Sequence, residues 1–422
     1  MASIDILNKL KNRNPGIKNI VLFVSDALRW DYLPESIAQR GLTFKTIAAS
    51  LFTASSFPSI VTGLYPPAHG VHSFTDRLPV SIASLMNLSG YNTSFWNESI
   101  WIRIKHGLSG YTPIHRILRQ NSKTTLDEIA TPFIYLEDDK GGHCPYGWTE
   151  DEDYEPWSCV KFFRDYGSKN TGELRKKYRT GIEQSTEVFE KRLDTLKRRG
   201  LAEETLVIFT SDHGELLGEY GGHVGHGTIA CPELVYVPTV FIHPSLPCGM
   251  SFANEGIIRH VDLFPTILDI LNCKLTYPVD GVSLLTKSEM LQVGYNYLEV
   301  KTKIFRKIMP SYRYKQISVW DKDGGHKFCD SSFIERLLYS ISETMVKGNT
   351  AIYLRGRLRS KYYPQIFKNY FTVIKNCMDS YIKHGFPHFN KQYAMTVIRN
   401  IDNSEKAIIK RSISKLKKNV RI

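Results

Sequence analysis

A carboxylate and an imidazole stand side by side at Asp212-His213, directly after the apolar run 206–209. That run consists of β-forming residues and predicts a buried strand of a parallel sheet. Ligands of open α/β sheets bind outside the carboxyl ends of the strands, and an adjacent Asp and His can hold one divalent cation. We therefore predict that Asp212 and His213 are metal ligands. The alternative reading is an Asp-His turn followed by a flexible glycine loop.

A second strand-end acid and a histidine-bearing glycine loop extend this pattern. The apolar run 19–24 ends at Asp26, again a carboxylate at the predicted carboxyl end of a strand. Asp is also a routine helix N-cap, so Asp26 gains weight as one of two such acids. Residues 215–227 are rich in glycine, which lets a backbone approach a ligand closely, and they contribute His223 and His226.

Three hydroxyl side chains, Thr53, Ser55 and Ser56, lie where a helix is predicted to begin, near residues 53–58, and this helix would end at Gly63. Pro in its first turns and Gly63 after its end are typical helix signals. The N-terminal end of a helix suits an oxyanion, and it would favour a hydroxyl that acts as a nucleophile beside a metal. The alternative is that these hydroxyls are simple N-caps.

The positive charge of the chain is concentrated near its C-terminal end. The 422 residues carry a formal net charge of +13. Residues 301–422 contain 26 Lys and Arg but only eight Asp and Glu, whereas residues 1–300 contain 29 Lys and Arg and 34 Asp and Glu. This imbalance predicts anionic partners, such as lipid headgroups or acidic glycans, or else a solvated basic face. The basic amphipathic stretch 405–418 could lie on an anionic membrane surface, and the composition does not favour nucleic acid.

Length and cysteine usage limit the class of protein. The chain can hold one large α/β domain with an appendage, or two to three ordinary domains. We expect no secretory signal and no transmembrane helix, because no apolar run of about 18 residues occurs. The seven cysteines form no CxxC pair, so we expect reduced thiols in a cytoplasmic chain.

Several motifs, taken in chain order, resemble the sulfatase branch of the alkaline phosphatase superfamily. They are Asp26-x-Leu-Arg-x-Asp31, Thr62-Gly-Leu-Tyr-Pro with His69-Gly-Val, and Thr210-Ser-Asp-His-Gly-Glu215. The resemblance covers about residues 17–330. It implies a doubly wound α/β fold, with a mixed, mainly parallel sheet and helices on both faces, a small C-terminal α+β subdomain and a helical extension.

The resemblance also divides the chain into four segments. Residues 1–16 would form an N-terminal helix and residues 17–290 the catalytic domain. Residues 291–330 would form a small C-terminal sheet subdomain. Residues 331–422 lie outside the resemblance, and their apolar spacing and charge predict a basic helical extension.

This chain departs from the sulfatase pattern at the nucleophile. The slot falls on Thr53, with Ser55 two positions on and Phe57 four positions on. Sulfatases have Cys or Ser in this slot, followed by Pro and Arg, a context that allows oxidation to formylglycine. An unmodified Thr resembles instead the nucleotide pyrophosphatase and phosphoethanolamine-transferase branches. A nucleophilic Ser55 or Ser56 would need a shifted register.

The resemblance implies a metal set of Asp26, Thr53, Asp212 and His213, with Ala27 where sulfatases often carry a second Asp. This set resembles the single-metal centre of phosphonate and phosphate-ester hydrolases. Nitrogen and oxygen ligands favour Zn²⁺ or Mn²⁺, with Ca²⁺ or Mg²⁺ as alternatives.

The predicted activity is hydrolysis of a sulfuric or phosphoric ester through a Thr53 alkoxide. The substrate would be an anionic ester of a glycan, a lipid headgroup or a small molecule. His226 would bind the substrate or protonate the leaving group, and His69, His143 and His223 are further substrate-binding candidates, with loop packing as the alternative for each. Arg29 and Asp31 are predicted to form a structural ion pair. The alternatives are a phospho-group transferase and an inactive relative that binds an anionic glycan.

Overall fold

The structure, a computed structural model, describes residues 6–10, 16–97, 113–120, 124–149, 162–163, 171–275, 277–286, 293–302, 312–345 and 374–400. Its strands are β1 (Asn19–Ser25), β2 (Leu42–Ile47), β3 (Asn92–Asn97), β4 (Phe133–Asp139), β5 (Thr205–Thr210), β6 (Leu216–Gly218), β7 (His223–Gly225), β8 (Tyr236–Ile242), β9 (Met250–Ser251), β10 (Ile258–Arg259), β11 (Gly294–Thr302), β12 (Tyr312–Trp320), β13 (Gly324–Cys329) and β14 (Tyr381–Gly385).

Helices connect most of these strands. The α-helices are Glu35–Ala38, Thr53–Thr62, Pro66–His69, Pro113–Leu118, Thr171–Arg198, Glu219–Gly222, Pro232–Val235, His260–Ile270 and Phe333–Met345, and residues 374–378 and 391–400 are also helical. Short 3-10 turns occupy Leu7–Leu10, Trp30–Tyr32, Leu85–Asn87, Ala202–Glu204 and Leu284–Thr286.

The main sheet has eight strands and is mixed but mainly parallel, as predicted. Its order is β10-β2-β8-β5-β1-β4-β3, with β9 beside β2. Strand β8 alone runs antiparallel to its neighbours β2 and β5, and the other pairings are parallel. The carboxyl ends of β1, β4 and β5 therefore meet at one edge of the sheet, where ligand sites of such folds lie.

Two hydrophobic layers cover the two faces of the main sheet. On one face, side chains of β1 such as Leu22 pack with the Thr53–Thr62 and His260–Ile270 helices. On the other face, Phe23 packs with Phe189 and other residues of the long Thr171–Arg198 helix. Successive strand side chains point to opposite faces, so continuous apolar runs such as residues 19–24 require a cover on both sides. This confirms the predicted doubly wound architecture.

A second, antiparallel sheet of four strands follows, in the order β11-β12-β13-β14. It docks against the main domain through hydrogen bonds such as Asn296 Nδ2 to the Ala48 carbonyl, 2.7 Å. Its fourth strand, Tyr381–Gly385, comes from residues 331–422, which were predicted to form a basic helical extension, so that prediction was wrong at β14. Five residues of half-polar sequence carried no readable strand pattern, and pairing with the free edge of β13 determines their conformation.

Other expectations at the ends of the chain are only partly covered. Within the predicted N-terminal helix, the described residues contain the 3-10 turn Leu7–Leu10. The basic stretch 405–418 lies outside the described residues, and its membrane contact stays a prediction. Among the helices that the structure describes, none combines the length and the apolar character needed to cross a membrane.

Candidate active site and metal centre

The turn after β1 places Asp26 at the carboxyl edge of the main sheet. Its backbone N–H donates to the Asp139 carbonyl at 2.9 Å. The next residue, Ala27, has φ of +59°, a left-handed conformation that is rare for residues with a Cβ. This conformation directs the Ala27 N–H to Asp212 Oδ1 at 3.1 Å. Tyr178 of the long helix holds the turn, because its hydroxyl donates to the Ala27 carbonyl at 2.7 Å.

The end of β5 brings Asp212 and His213 to the same edge. Both side chains are fully buried. His213 Nδ1 lies 2.9 Å from the Gly214 carbonyl, which requires a proton on Nδ1 and leaves the Nε2 lone pair available as a ligand. Gly214 is needed here because a Cβ at this position would lie 1.9 Å from the Glu233 carbonyl oxygen.

Thr53 is the first residue of the Thr53–Thr62 helix, and its side chain points into the same cluster. Thr53 Oγ1 lies 3.1 Å from His213 Nε2, and the residue is 5 % exposed. The positive end of the helix dipole favours an ionised hydroxyl at this position. The helix ends at Gly63, whose φ of +69° is the left-handed cap that glycine favours.

The neighbouring serines are engaged elsewhere. Ser55 Oγ lies within hydrogen-bond distance of Ser50 Oγ at 2.7 Å and of the Phe52 carbonyl at 3.1 Å. Ser56 Oγ donates to the Ser50 carbonyl at 3.1 Å. Both hydroxyls therefore stabilise the segment that precedes the helix, and the geometry favours Thr53 over either serine as the nucleophile.

Burial and neighbouring charges shift the pKa values of the ionisable groups in this cluster. Burial, followed by the charge of Asp212, raises the pKa of the Asp26 carboxyl well above its usual value. Burial lowers the pKa of His213 to about 4, so its ring is neutral at pH 7. Two close acids and a neutral imidazole leave a net negative charge that a cation would compensate.

These residues fit a divalent cation. Asp26, Asp212 and His213 each offer one ligand atom, and those atoms lie within 4.8 Å of one another. Asp26 Oδ1 and Asp212 Oδ2 are buried and accept no hydrogen bond in the described part of the chain. Buried acceptors of this kind require a partner, and two carboxylates with one imidazole form a typical donor set for a divalent ion.

Two further histidines form a row with His213. The rings of His213 and His226 lie 4.2 Å apart between centroids, and those of His226 and His143 lie 5.1 Å apart. His226 Nδ1 lies 3.2 Å from Glu215 Oε2, and Glu215 is fully buried. This contact fixes the position of His226 Nδ1. Burial raises the pKa of Glu215 to about 8.

His69 and His223 have different surroundings. His69 is buried, and its two ring nitrogens contact Ser59 Oγ and the Val71 N–H, both at 3.1 Å. These contacts use both nitrogens, so we assign His69 to packing. His223 opens β7 and is also buried; neither of its ring nitrogens has a hydrogen-bond partner among the described residues. Its predicted role in substrate binding stays a prediction.

The predicted ion pair of Arg29 and Asp31 is present. The guanidinium contacts both carboxylate oxygens of Asp31, at 2.8 and 2.7 Å, and Glu219 at 2.8 Å. Arg29 thus links the turn after β1 to the start of the Glu219–Gly222 helix, beside the histidine row.

Three residues at this edge were not identified from the sequence. Glu215 stood in the quoted motif, but the hairpin of β6 and β7 that places it opposite His226 follows from register rather than from spacing. Asp138 is the penultimate residue of β4, and Asp26 directly follows β1. The rule of strand-end acids could therefore have identified Asp138 as well. Asn97 is placed beside Asp138 by the pairing of β3 with β4.

A family model described as Sulfatase matches residues 18–273, more than half of the chain. This chain belongs to the sulfatase family. The match includes Asp26, Thr53, Asp212 and His213, and it agrees with the motif order found in the sequence.

Known proteins similar to this sulfatase-family chain have different names. The low-salt glycan biosynthesis sulfotransferase Agl7 of Haloferax volcanii is 39 % identical over 315 residues, which are 74 % of each chain. Among solved structures, a 2-O GAG sulfatase aligns with a TM-score of 0.57 and 14 % identity, over 85 % of this chain and 92 % of its own. A phosphonate monoester hydrolase of Agrobacterium radiobacter aligns with a TM-score of 0.54 and 14 % identity, over 84 % and 96 %. At this identity, both structures show the shared fold.

Proposed function

We propose that this sulfatase-family chain hydrolyses a sulfuric or phosphoric ester through Thr53, with one divalent cation held by Asp26, Thr53, Asp212 and His213. The observation that carries the proposal is the 3.1 Å contact of Thr53 Oγ1 with His213 Nε2, inside a cluster that has two unpartnered carboxylate oxygens. Family membership supports ester cleavage at this edge of the sheet.

Thr53 and His226 have different roles in the proposed reaction. When bound, the cation would supply positive charge that favours ionisation of the Thr53 hydroxyl and polarises the ester. Thr53 Oγ1 attacks sulfur or phosphorus, and the bond to the leaving oxygen breaks. His226, held by Glu215 through Nδ1, gives a proton from Nε2 to that oxygen. His226 then takes a proton from the attacking water, which releases the sulfate or phosphate and restores Thr53.

Thr53 and its context argue against formylglycine chemistry. Oxidation to formylglycine starts from Cys or Ser, and Thr53 is neither. Because the donor set includes an imidazole, we propose Zn²⁺ or Mn²⁺ ahead of Ca²⁺ or Mg²⁺ at this centre. The substrate is proposed to be an anionic glycan ester, a choice supported by the glycan biosynthesis named in the archaeal relative.

The first test is a hydrolysis panel with the full chain and its Thr53→Ala and Thr53→Ser variants. Aryl sulfate, phosphate monoester, phosphodiester and phosphonate substrates are each assayed with Zn²⁺, Mn²⁺, Ca²⁺ and Mg²⁺. We expect turnover to fall by about a thousandfold or more in Thr53→Ala, because the nucleophile is removed, and partial activity in Thr53→Ser. Peptide mass spectrometry of quenched reactions should find the sulfo or phospho group on Thr53.

Full activity of Thr53→Ala would overturn the nucleophile assignment. Failure of the wild-type chain to bind any of the four cations would instead support the inactive relative that binds an anionic glycan.

The role of His226 is tested through the leaving group. We expect His226→Asn to lower kcat on esters of poorly acidic alcohols by about a hundredfold, and to change kcat little on nitrophenyl esters, because only the poor leaving groups need a proton. His223→Asn, on the same hairpin, is the matched control and should show no such selectivity. An equal loss on both substrate types would contradict the proton-donor role.

A second candidate is transfer of the sulfo or phospho group to an acceptor hydroxyl. The name of the 39 % identical relative, a sulfotransferase, favours it. Both activities share attack by Thr53 and differ in the oxygen that reacts second. Two results together would identify a transferase. An added sugar acceptor would speed release of the first product, and the acceptor itself would become sulfated or phosphorylated.

A further inference from the structure

Two neighbouring polar side chains at the end of β3 and β4 each keep one unused oxygen. Asn97 and Asp138 are register partners, and Asn97 Nδ2 donates to Asp138 Oδ2 at 2.5 Å. Both residues are 5 % exposed. Asn97 Oδ1 and Asp138 Oδ1 are buried and have no hydrogen-bond partner in the residues that the structure describes. Buried acceptors in folded proteins are normally paired, so two adjacent unpaired ones indicate a missing partner.

The same edge adds a third such oxygen from Asp26. Asp138 is paired on its other side with Val24 of β1, and Asp26 follows two residues later. Asp26 Oδ1 likewise has no hydrogen-bond partner in the described residues. The Asp26 N–H donates to the carbonyl of Asp139, the residue after Asp138, at 2.9 Å, which holds Asp26 beside the end of β4. Three neighbouring segments at this edge therefore each carry a buried oxygen acceptor that has no donor in the described residues.

The other charged residues of β4, and Lys140 directly after it, have their own contacts. Glu137 receives two hydrogen bonds from Arg192 Nε and Nη2, at 2.8 and 2.7 Å. Asp139 Oδ2 accepts the Gly141 N–H at 3.0 Å. Lys140 Nζ lies 5.4 Å from the centre of the Trp148 ring. The hydrogen bond that Asp138 receives comes from a neutral amide, which does not compensate its charge.

We propose that Asn97 and Asp138, together with Asp26, bind a hard divalent cation of the Ca²⁺ or Mg²⁺ class, beside the centre formed by Asp212 and His213. The donors are two carboxylates and one amide carbonyl, the oxygen set that such cations prefer. Asp26 contributes to both positions, as carboxylates do in two-metal sites. The inference rests on the orphan oxygens and does not require the proposed reaction.

The test measures binding in the full-length protein. Chelator-stripped protein receives one equivalent of Zn²⁺ to fill the imidazole-containing centre, and is then titrated with Ca²⁺ by calorimetry and with Tb³⁺, a luminescent probe of Ca²⁺ sites. We expect the wild-type chain to bind one further cation and Asp138→Asn to bind it at least about tenfold more weakly, because one charged ligand is lost. Zn²⁺ content should be unchanged in this variant.

Two more variants make the outcome decisive. Asn97→Asp adds a carboxylate and should tighten Ca²⁺ binding by about tenfold, which keeps the proposal testable if Asp138→Asn does not fold. Asp127→Asn, an exposed acid paired with Arg198, should change nothing. A wild-type chain that binds no cation beyond the first, equal binding by Asp138→Asn, or no gain in Asn97→Asp would overturn the proposal. Those results would assign the orphan oxygens to water or to a protonated Asp138.

Discussion

The buried position of Asp26 beside other acids lowers the stability of the folded protein. Its carboxyl is surrounded by Asp212, Asp138 and Glu215, and its pKa is raised first by burial and then by these charges. For an acid, a folded-state pKa above the unfolded value means that the folded protein loses stability as the pH rises past the unfolded pKa. Such costs at functional sites are typical, because the ligand that would compensate them is part of the working protein.

We predict that Asp26→Asn stabilises the metal-free protein and abolishes cation binding at the centre. With chelator at pH 7, the free energy of unfolding should rise by about 1–3 kcal/mol, because the cost of burying an ionisable carboxyl beside other acids is removed. The gain should vanish below about pH 4, where the Asp26 carboxyl is neutral in both states. Denaturant melts at the two pH values measure both effects.

The control for this prediction is Asp31→Asn. Asp31 is exposed and paired with Arg29, so its removal should bring no gain. A metal-free Asp26→Asn protein that is less stable than the wild type at pH 7 would show that Asp26 is not electrostatically strained.

At the residue scale, the sequence allowed prediction of positions that follow from element ends. Asp26, Asp212 and His213 come directly after apolar strands, and Thr53 begins a helix bounded by clear signals. The contacts of His69 were not readable, because Ser59 reaches it only after the chain turns at Gly63. The contact of His226 with Glu215 depends likewise on hairpin register, which spacing alone does not determine.

At the element scale, the C-terminal sheet holds the loop that follows His226. Gln316 of β12 clamps this loop with its amide, accepting from the Ala230 N–H at 3.1 Å and donating to the Thr228 carbonyl at 2.6 Å. Tyr339 of the Phe333–Met345 helix donates its hydroxyl to the Gly227 carbonyl at 2.9 Å. The C-terminal elements thus position one side of the candidate site.

We predict that Gln316→Ala lowers the free energy of unfolding by about 1–3 kcal/mol, because two buried backbone groups lose their partners. We also expect kcat to fall more than KM rises, since the loop orients His226. Gln184→Ala is the control; its amide contacts the Trp148 carbonyl away from this loop. Unchanged turnover in Gln316→Ala, with stability lost, would limit the clamp to a structural role.

The elements themselves were predictable to different degrees. The apolar runs 19–24 and 206–209 and the end signals around residues 53–63 predicted β1, β5 and the Thr53–Thr62 helix, and the structure agrees with them. Strand β14 has no such pattern, because one edge of an existing sheet determines it. The pairing of β3 with β4, which brings Asn97 to Asp138, joins segments about 40 residues apart and leaves no local trace in the sequence.

At the scale of the whole molecule, buried neutral histidines determine the response to acid. Burial lowers the pKa of His69 to about 3, and that of His213, His223, His260 and His384 to about 4 each, from 6.5. A depressed histidine pKa gives stability that is present above the unfolded value and is lost as the pH falls. These five groups therefore act together below pH 6.5.

We predict steep acid destabilisation of the chelated protein between pH 6.5 and 4. Each of the five histidines should cost about 2 kcal/mol at pH 5, because the unfolded chain binds a proton that the folded chain does not. Denaturant melts at successive pH values measure the slope. His69→Gln should reduce the proton uptake on unfolding by one, and a slope that stays unchanged in this variant would contradict the assignment.

The residues that clamp the loop at Thr228 are synthesised later than the loop itself. That loop is held by a residue 88 positions further along the chain, and the sheet that carries this residue is completed by Tyr381–Gly385. While a ribosome is still making residues before 381, β13 presents one unpaired edge. The nascent chain therefore passes through a stage in which Asp26, Asp212 and His213 have been made but the sheet that carries Gln316 still lacks its fourth strand.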